Sequence, residues 1–174
     1  MADLTQIEAA VRDVPDFPKP GILFKDITPV LADPTLFKGC MELLAETAGG
    51  QKIDKVVGID ARGFIFAAGV AQNLDAGFVP VRKAGKLPWT THKMAYTLEY
   101  GESVVEIHQD AVKPGEKILL VDDLLATGGT AAAAIKLLRA LEADIVAVSF
   151  LIELEALNGR EKLGIEPVCS LLKY

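Results

Sequence analysis

Apolar residues repeat first at helical spacing and then at strand spacing along this chain. Near the start, Leu4, Ile7 and Val11 share one helical face, and Thr5-Gln6-Ile7-Glu8 has the form of a capping box. Pro15, Pro18 and Pro20 then forbid regular structure. Residues 16–21 are expected to be a stiff loop carrying the short apolar run Ile22-Leu23-Phe24. Asp33-Pro34 pairs a capping acid with proline at the first helical position and predicts a second helix. Its inward stripe is Leu36, Cys40, Leu43 and Leu44, and Gly49-Gly50 ends it.

The pattern then alternates. Val56-Val57-Gly58-Ile59 reads as a buried strand ending at Asp60, residues 64–74 as a crossover helix, and Phe78-Val79-Pro80-Val81 as a second strand. Residues 83–94 are polar and without period, whereas 96–99 and 103–108 alternate and predict a hairpin turning at Tyr100-Gly101. Pro114-Gly115 marks a turn, and Ile118-Leu119-Leu120-Val121 is an unbroken apolar run of the kind covered on both faces. A helix over 130–142, with Ala134, Leu138 and Leu141 inward, leads to a strand over 145–151. A helix over 156–163 and a last strand over 168–172 follow, and Glu153 and Glu155 read as the start of that helix. Strands alternating with helices predict an α/β fold with a parallel sheet and right-handed crossovers.

Composition narrows the function. The 174 residues suit one domain with a substantial core, and 51% hydrophobic against 24% charged residues excludes general disorder. With 24 acids against 18 Lys and Arg the net charge is -6, so a basic nucleic-acid surface is not expected. The longest uncharged run, residues 63–74, is too short to span a membrane, and the first residues carry no apolar signal-peptide core. Cys40 and Cys169 have neither metal nor redox spacing, which suits a reducing cytoplasm. His92 and His108 have no ligand spacing and are expected at the surface.

In open α/β sheets, ligands bind at the carboxyl ends of strands, and three of those ends carry chemistry here. The first is Val121-Asp122-Asp123-Leu124-Leu125-Ala126-Thr127-Gly128-Gly129-Thr130: a buried strand, two acids, then a small-residue loop opening a helix. Free N–H groups at a helix start attract an anion, and glycine lets a phosphate approach the backbone. Thr127 and Thr130 add hydroxyls, and the acids lie where the hydroxyls of a sugar phosphate would be. A side chain at Gly128 is expected to obstruct the phosphate while leaving the fold intact. The second is Asp60-Ala61-Arg62-Gly63, where Arg62 offers a planar fork to a diphosphate. The third is Arg82, Lys83 and Lys86, three close cations suited to a small polyanion, with Gly85 in a polar stretch that reads as a closing flap.

The first of these segments resembles the phosphoribosyl-pyrophosphate (PRPP) motif of the type I phosphoribosyltransferases, in the form its adenine-specific members carry. Residues 17–29 (FPKPGILFKDITP) resemble the family's base-binding hood, 60–64 (DARGF) its pyrophosphate loop, and 82–88 running to 98–101 (LEYG) its catalytic loop. Residues 89–94 are the least similar part. The resemblance implies a mostly parallel five-stranded sheet flanked by helices, a hood and arm over 1–33, a core over 34–174 and a mobile loop over 83–100. It implies adenine + PRPP → AMP + pyrophosphate, serving purine salvage, in a homodimer.

The implied roles are specific. Asp122 and Asp123 hold the ribose, and Ala126, Thr127, Gly128, Gly129 and Thr130 hold the 5′-phosphate. Arg62, Arg82, Lys83 and Lys86 neutralise the diphosphate, and Tyr100 joins the nucleotide site. Glu99 handles the proton of the base, with Arg62 as the other catalytic residue. Phe24 stacks on adenine while the backbones of Leu23 and Lys25 read its edge, leaving those two side chains free to vary. Mg²⁺ is expected near Asp122 and Asp123, held mainly by substrate and water rather than directly by protein. A cis or strained peptide is expected at Ala61–Arg62. A phosphoribosyltransferase for hypoxanthine, guanine or xanthine, or a PRPP-binding regulator on the same fold, are the alternatives.

Overall fold

Asp3 caps the first helix, two residues before the expected position: its carboxylate accepts from the Gln6 N–H, and the Gln6 side chain accepts from the Asp3 N–H. The computed structural model describes residues 3–98 and 101–174; Glu99 and Tyr100 lie outside the described residues. Helix α1 (Leu4–Ala10) leads into strands β1 (Arg12–Pro15) and β2 (Leu23–Asp26), which pair antiparallel as a small sheet of their own. Sequence reading expected only a loop here. Pro15 is tolerated because it ends β1, where its missing N–H breaks no ladder. The short α2 (Thr28–Ala32) was not foreseen either.

Helix α3 (Pro34–Glu46) begins as expected. Asp33 accepts from the N–H groups of Thr35 and Leu36, and Gly49 and Gly50 take positive φ just beyond the helix. Its buried stripe is Cys40, Leu44 and Ala45, with Leu36 and Leu43 only half-buried. The alternating part follows: β3 (Lys55–Ile59), α4 (Gly63–Asn73), β4 (Gly77–Lys83), the hairpin β5 (Thr91–Leu98) and β6 (Gly101–His108), β7 (Lys117–Leu125), α5 (Gly129–Ala140) and β8 (Asp144–Glu153). Two 3₁₀ turns, Glu155–Leu157 and Gly159–Lys162, replace the helix expected there, and β9 (Val168–Lys173) closes the sheet. Glu153 therefore ends a strand instead of starting a helix.

Strands β4-β3-β7-β8-β9 run parallel, and the β6–β5 hairpin extends the sheet to seven strands. Side chains of β7 alternate between two cores. Ile118 and Leu120 pack toward α5, while Leu119 and Val121 pack toward α1, α3 and α4. Burial on both faces accounts for the unbroken apolar run. Because β3 lies between β4 and β7, the carboxyl ends of the three strands and the segments that leave them — 60–63, 84–87 and 126–130 — lie side by side.

Removing the α3 cap with Asp33→Ala, far from those ends, is expected to cost about 1 kcal/mol. That is about 2–4 °C in Tm for a chain of this size. Thermal melts check it; an unchanged Tm would deny Asp33 its capping role.

Candidate active site

A cavity of about 400 Å³ opens at the carboxyl ends of β3, β4 and β7. Its wall includes Asp60, Ala61, Arg62, Lys83, Asp122, Asp123 and Thr130, with Tyr96 and Ser103 contributed by the hairpin. Adjoining it, a smaller hollow of about 80 Å³ is lined by residues 124–131 together with Asp122. Register explains the convergence. Ile59 pairs with Val81 and Gly58 pairs with both Pro80 and Val121, so Asp60, just past the end of β3, comes level with Asp123 on the neighbouring β7. Strand β7 runs further than expected, so the two acids lie on the strand itself.

The acids are costly. Asp123 is 7% exposed, and its carboxylate meets the Arg62 guanidinium at 2.7 Å. Burial pushes the Asp122 carboxyl well above the usual range and the neighbouring Asp123 charge adds to it; the Asp123 N–H, donating at 2.9 Å, pulls it back. Burial also raises Asp123, with Arg62 opposing. The first residue of α4 lies on this pair: a Cβ at Gly63 would stand 2.5 Å from the Asp122 carboxylate, so only glycine fits without displacement.

Small residues shape the smaller hollow. Gly128 caps α5 at φ 78, and the first N–H groups of α5, from Gly129, Thr130 and Ala131, start at the hollow. A Cβ at Gly128 would lie 2.2 Å from the Gly159 carbonyl oxygen. The expectation that a side chain there spares the fold is thus corrected, because it would force two backbones apart.

The expected cations separate. Lys83 lines the cavity, but Arg82 is engaged elsewhere, its Nε donating to Asp60 at 3.2 Å and its Nη1 to the Lys86 carbonyl at 3.3 Å. Lys86 is exposed on the flap and Gly85 has φ 81. The root of that flap is held by Glu106, a buried carboxylate on β6 that accepts from the N–H groups of Lys86 and Leu87 and from the Thr91 hydroxyl. Burial works against its charge, but these donors hold its carboxyl below the usual range. Glu99 and Tyr100, expected in the site, lie outside the described residues.

The β1–β2 hairpin supplies the roof. The Phe24 ring packs edge-on against Phe17, centroids 5.1 Å apart, and lies 5.9 Å from the Arg62 guanidinium. The Phe17 N–H donates to the Ile22 carbonyl, so Ile22 faces β1 and, by alternation, Leu23 and Lys25 turn their N–H and C=O groups to the free edge of β2. The Lys25 side chain, expected to be free to vary, has partners of its own. It pairs with Asp13 at 2.6 Å and lies 3.8 Å from the centre of the Tyr174 ring. The cis peptide lies one bond earlier than expected, at Asp60–Ala61. His92 is half-buried, and Nε2 of the half-buried His108 has no hydrogen-bond partner among the described residues. Among the described residues, no group of three or more His, Cys, Asp or Glu is placed to hold a metal, and no helix is long and apolar enough to cross a membrane.

Sequence reading missed Glu106, Gly159, Tyr174 and the partnership of Arg82 with Asp60. None carries a local motif; each matters through a residue distant in the chain.

Asp122→Asn is expected to raise Tm at neutral pH. A carboxyl whose folded pKa exceeds its unfolded value lends stability below the unfolded range and loses it as pH rises through the folded range. The amide keeps the acceptor for the Asp123 N–H without that loss. Its advantage should therefore grow as pH rises above the ordinary carboxylate range near about pH 4, read by melts across pH; an advantage that stays flat would deny the burial effect.

Comparisons with known proteins agree with this architecture. The phosphoribosyl transferase domain family matches residues 26–163. The adenine phosphoribosyltransferase of Acidothermus cellulolyticus is 54% identical over 173 residues, 99% of this chain and 98% of that one. The crystal structure of the enzyme of that name from Thermoanaerobacter pseudethanolicus superposes with a TM-score of 0.94 at 49% identity, covering 99% of this chain and 100% of the other. That from Saccharomyces cerevisiae, complexed with an imino-altritol bisphosphate and adenine, gives 0.91 at 43% identity over 97% and 98%. By matched length and by these identities, the chain belongs to the phosphoribosyltransferase family, among the adenine phosphoribosyltransferases.

Proposed function

We propose that this protein transfers the 5-phosphoribosyl group of PRPP to adenine, giving AMP and pyrophosphate, and so serves purine salvage. The observation that carries this reading is a single cleft joining paired acids, a phosphate-sized hollow at a helix start and an arginine beneath an aromatic ring.

Residues 126–130 hold the 5′-phosphate, and that remote binding energy positions the anomeric carbon. Asp122 and Asp123 accept from the ribose hydroxyls. Arg62 and Lys83 face the diphosphate; Arg82 orients Asp60, and Lys86 arrives with the flap. Phe24 stacks on the base. The free edge of β2 offers an N–H to adenine N1 and a carbonyl to its 6-amino group. A 6-oxo purine presents the reverse pattern and would leave buried groups unpaired. Glu99 manages the proton on the base, made effective when the flap excludes water. The arm and hood over 1–33 serve a core over 34–174.

The donor set fits Mg²⁺ in one way. Asp122 and Asp123 are hard oxygen donors whose burial and mutual repulsion a cation would relieve, yet two carboxylates cannot cage an ion alone. Mg²⁺ bound there would be held mostly by substrate and water, and would stabilise negative charge on the leaving diphosphate. A homodimer in the cytoplasm, with no nucleic-acid or membrane partner, completes the reading.

The test is AMP formation from PRPP over a panel of bases, with and without Mg²⁺. Adenine should turn over and hypoxanthine, guanine and xanthine should not. Rapid turnover of hypoxanthine alone would sink the base assignment, and PRPP binding without base-dependent pyrophosphate release would make the protein a regulator. Glu99→Ala should lower kcat by about a hundredfold or more, with a smaller change in the KM for PRPP; unchanged turnover would remove Glu99 from the mechanism.

A further inference from the structure

We infer that Gly159, held in place by the Arg160–Glu153 ion pair, is the back support of the phosphate loop and sets affinity for the phosphorylated substrate from outside the binding motif. The inference rests on residues 126–130 being the 5′-phosphate cradle, as proposed above.

The loop 126–128 rests on another backbone segment. A Cβ on Gly159 would stand 2.1 Å from the Ala126 carbonyl oxygen and 2.9 Å from the Gly128 nitrogen, and one on Gly128 would stand 2.2 Å from the Gly159 oxygen. Two chains approach this closely only where neither carries a side chain. Gly159 does not need glycine for its own φ, since its value lies outside the left-handed region, whereas Asn158 before it turns the chain at φ 50. The requirement is contact alone.

What presses Gly159 there is the next residue. Arg160 donates from Nε and Nη2 to both oxygens of Glu153, from Nη1 to the Val168 carbonyl and from Nη2 to Ser170. Glu153 is 5% exposed and pairs with Leu125, the residue before Ala126. Its carboxyl is held below the usual range chiefly by Arg160, so it stays charged at neutral pH. Thus the residue paired across the sheet with the strand end that launches the phosphate loop is the acid that fixes the arginine behind it. Leu163, buried against α5, pins the far end of the same turn. None of these residues faces the 400 Å³ cavity, so they are positioning residues.

Gly159→Ala should raise the KM for PRPP by about ten- to a hundredfold, the scale of a sub-ångström to ångström displacement, and weaken ribose 5-phosphate binding by calorimetry, with the KM for adenine unchanged. Should that variant fail to fold, Arg160→Lys decides: it keeps the charge but cannot span all three partners, and should raise the PRPP KM alone by a smaller factor. Equal increases in both KM values, or none, would overturn the inference. Thr130→Val separates the levels. If it raises the PRPP KM while Gly159→Ala and Arg160→Lys do not, the support role fails and the cradle stands; if none of the three changes it, the cradle reading fails as well.

Discussion

Two carboxylates carried out of water on one strand govern the cleft. Strand β7 is covered on both faces, so its end cannot bring Asp122 and Asp123 into bulk solvent. They are left close together in a weakly screened region, where like charges repel and desolvation disfavours both. Arg62 offsets part of that penalty, and it can do so because β3 lies next to β7 in parallel register, placing the start of α4 over the acids. Antiparallel pairing would have sent residues 60–63 to the amino end of β7, away from the acids. The electrostatics of the site are thus a consequence of topology.

The same sheet divides the site into a clamped half and a half that begins at a glycine of positive φ. The loop over 126–130 follows β7 and rests on the Gly159 turn, held by backbone contact and by a half-buried ion pair. The flap hangs from β4 through Gly85, and its root is fixed by the buried Glu106. The clamped half is suited to orienting a substrate, and the half that begins at the glycine is suited to admitting one. Arg82 links them, donating to Asp60 on one side and to the flap carbonyl of Lys86 on the other.

Strands and the acid-rich motif were legible in the sequence because their signals are local. An unbroken apolar run, an Asp33-Pro34 cap and a Gly-Gly stop each constrain their own few residues. What was not legible depended on pairing across the chain. The β1–β2 hairpin was hidden by prolines whose cost vanishes only if Pro15 ends a strand and Leu23 is its partner. The 3₁₀ turns over 155–162 kept helical composition but gave up the helix so that Gly159 could reach Ala126. Position 25 looked free to vary because the partners of Lys25 are remote in sequence: Asp13 lies twelve residues away and Tyr174 lies at the other end of the chain. Glu106 looked like one polar position in an alternating strand; its donors come from a segment with no period of its own.

Arg62 carries the last step. Its guanidinium lies between the Asp123 carboxylate and the Phe24 ring, so it joins the floor of the cleft to its roof. A diphosphate that recruits Arg62 draws away the cation offsetting Asp123 and leaves that acid buried with less compensation. Replacement charge or hydrogen-bond donors must then come with the ligand: ribose hydroxyls, a divalent cation, or both. Inorganic pyrophosphate alone supplies neither. A sugar diphosphate would satisfy Arg62 and the acids together, so the cost of drawing an exposed arginine away from a buried acid is expected to favour the complete donor over its fragments.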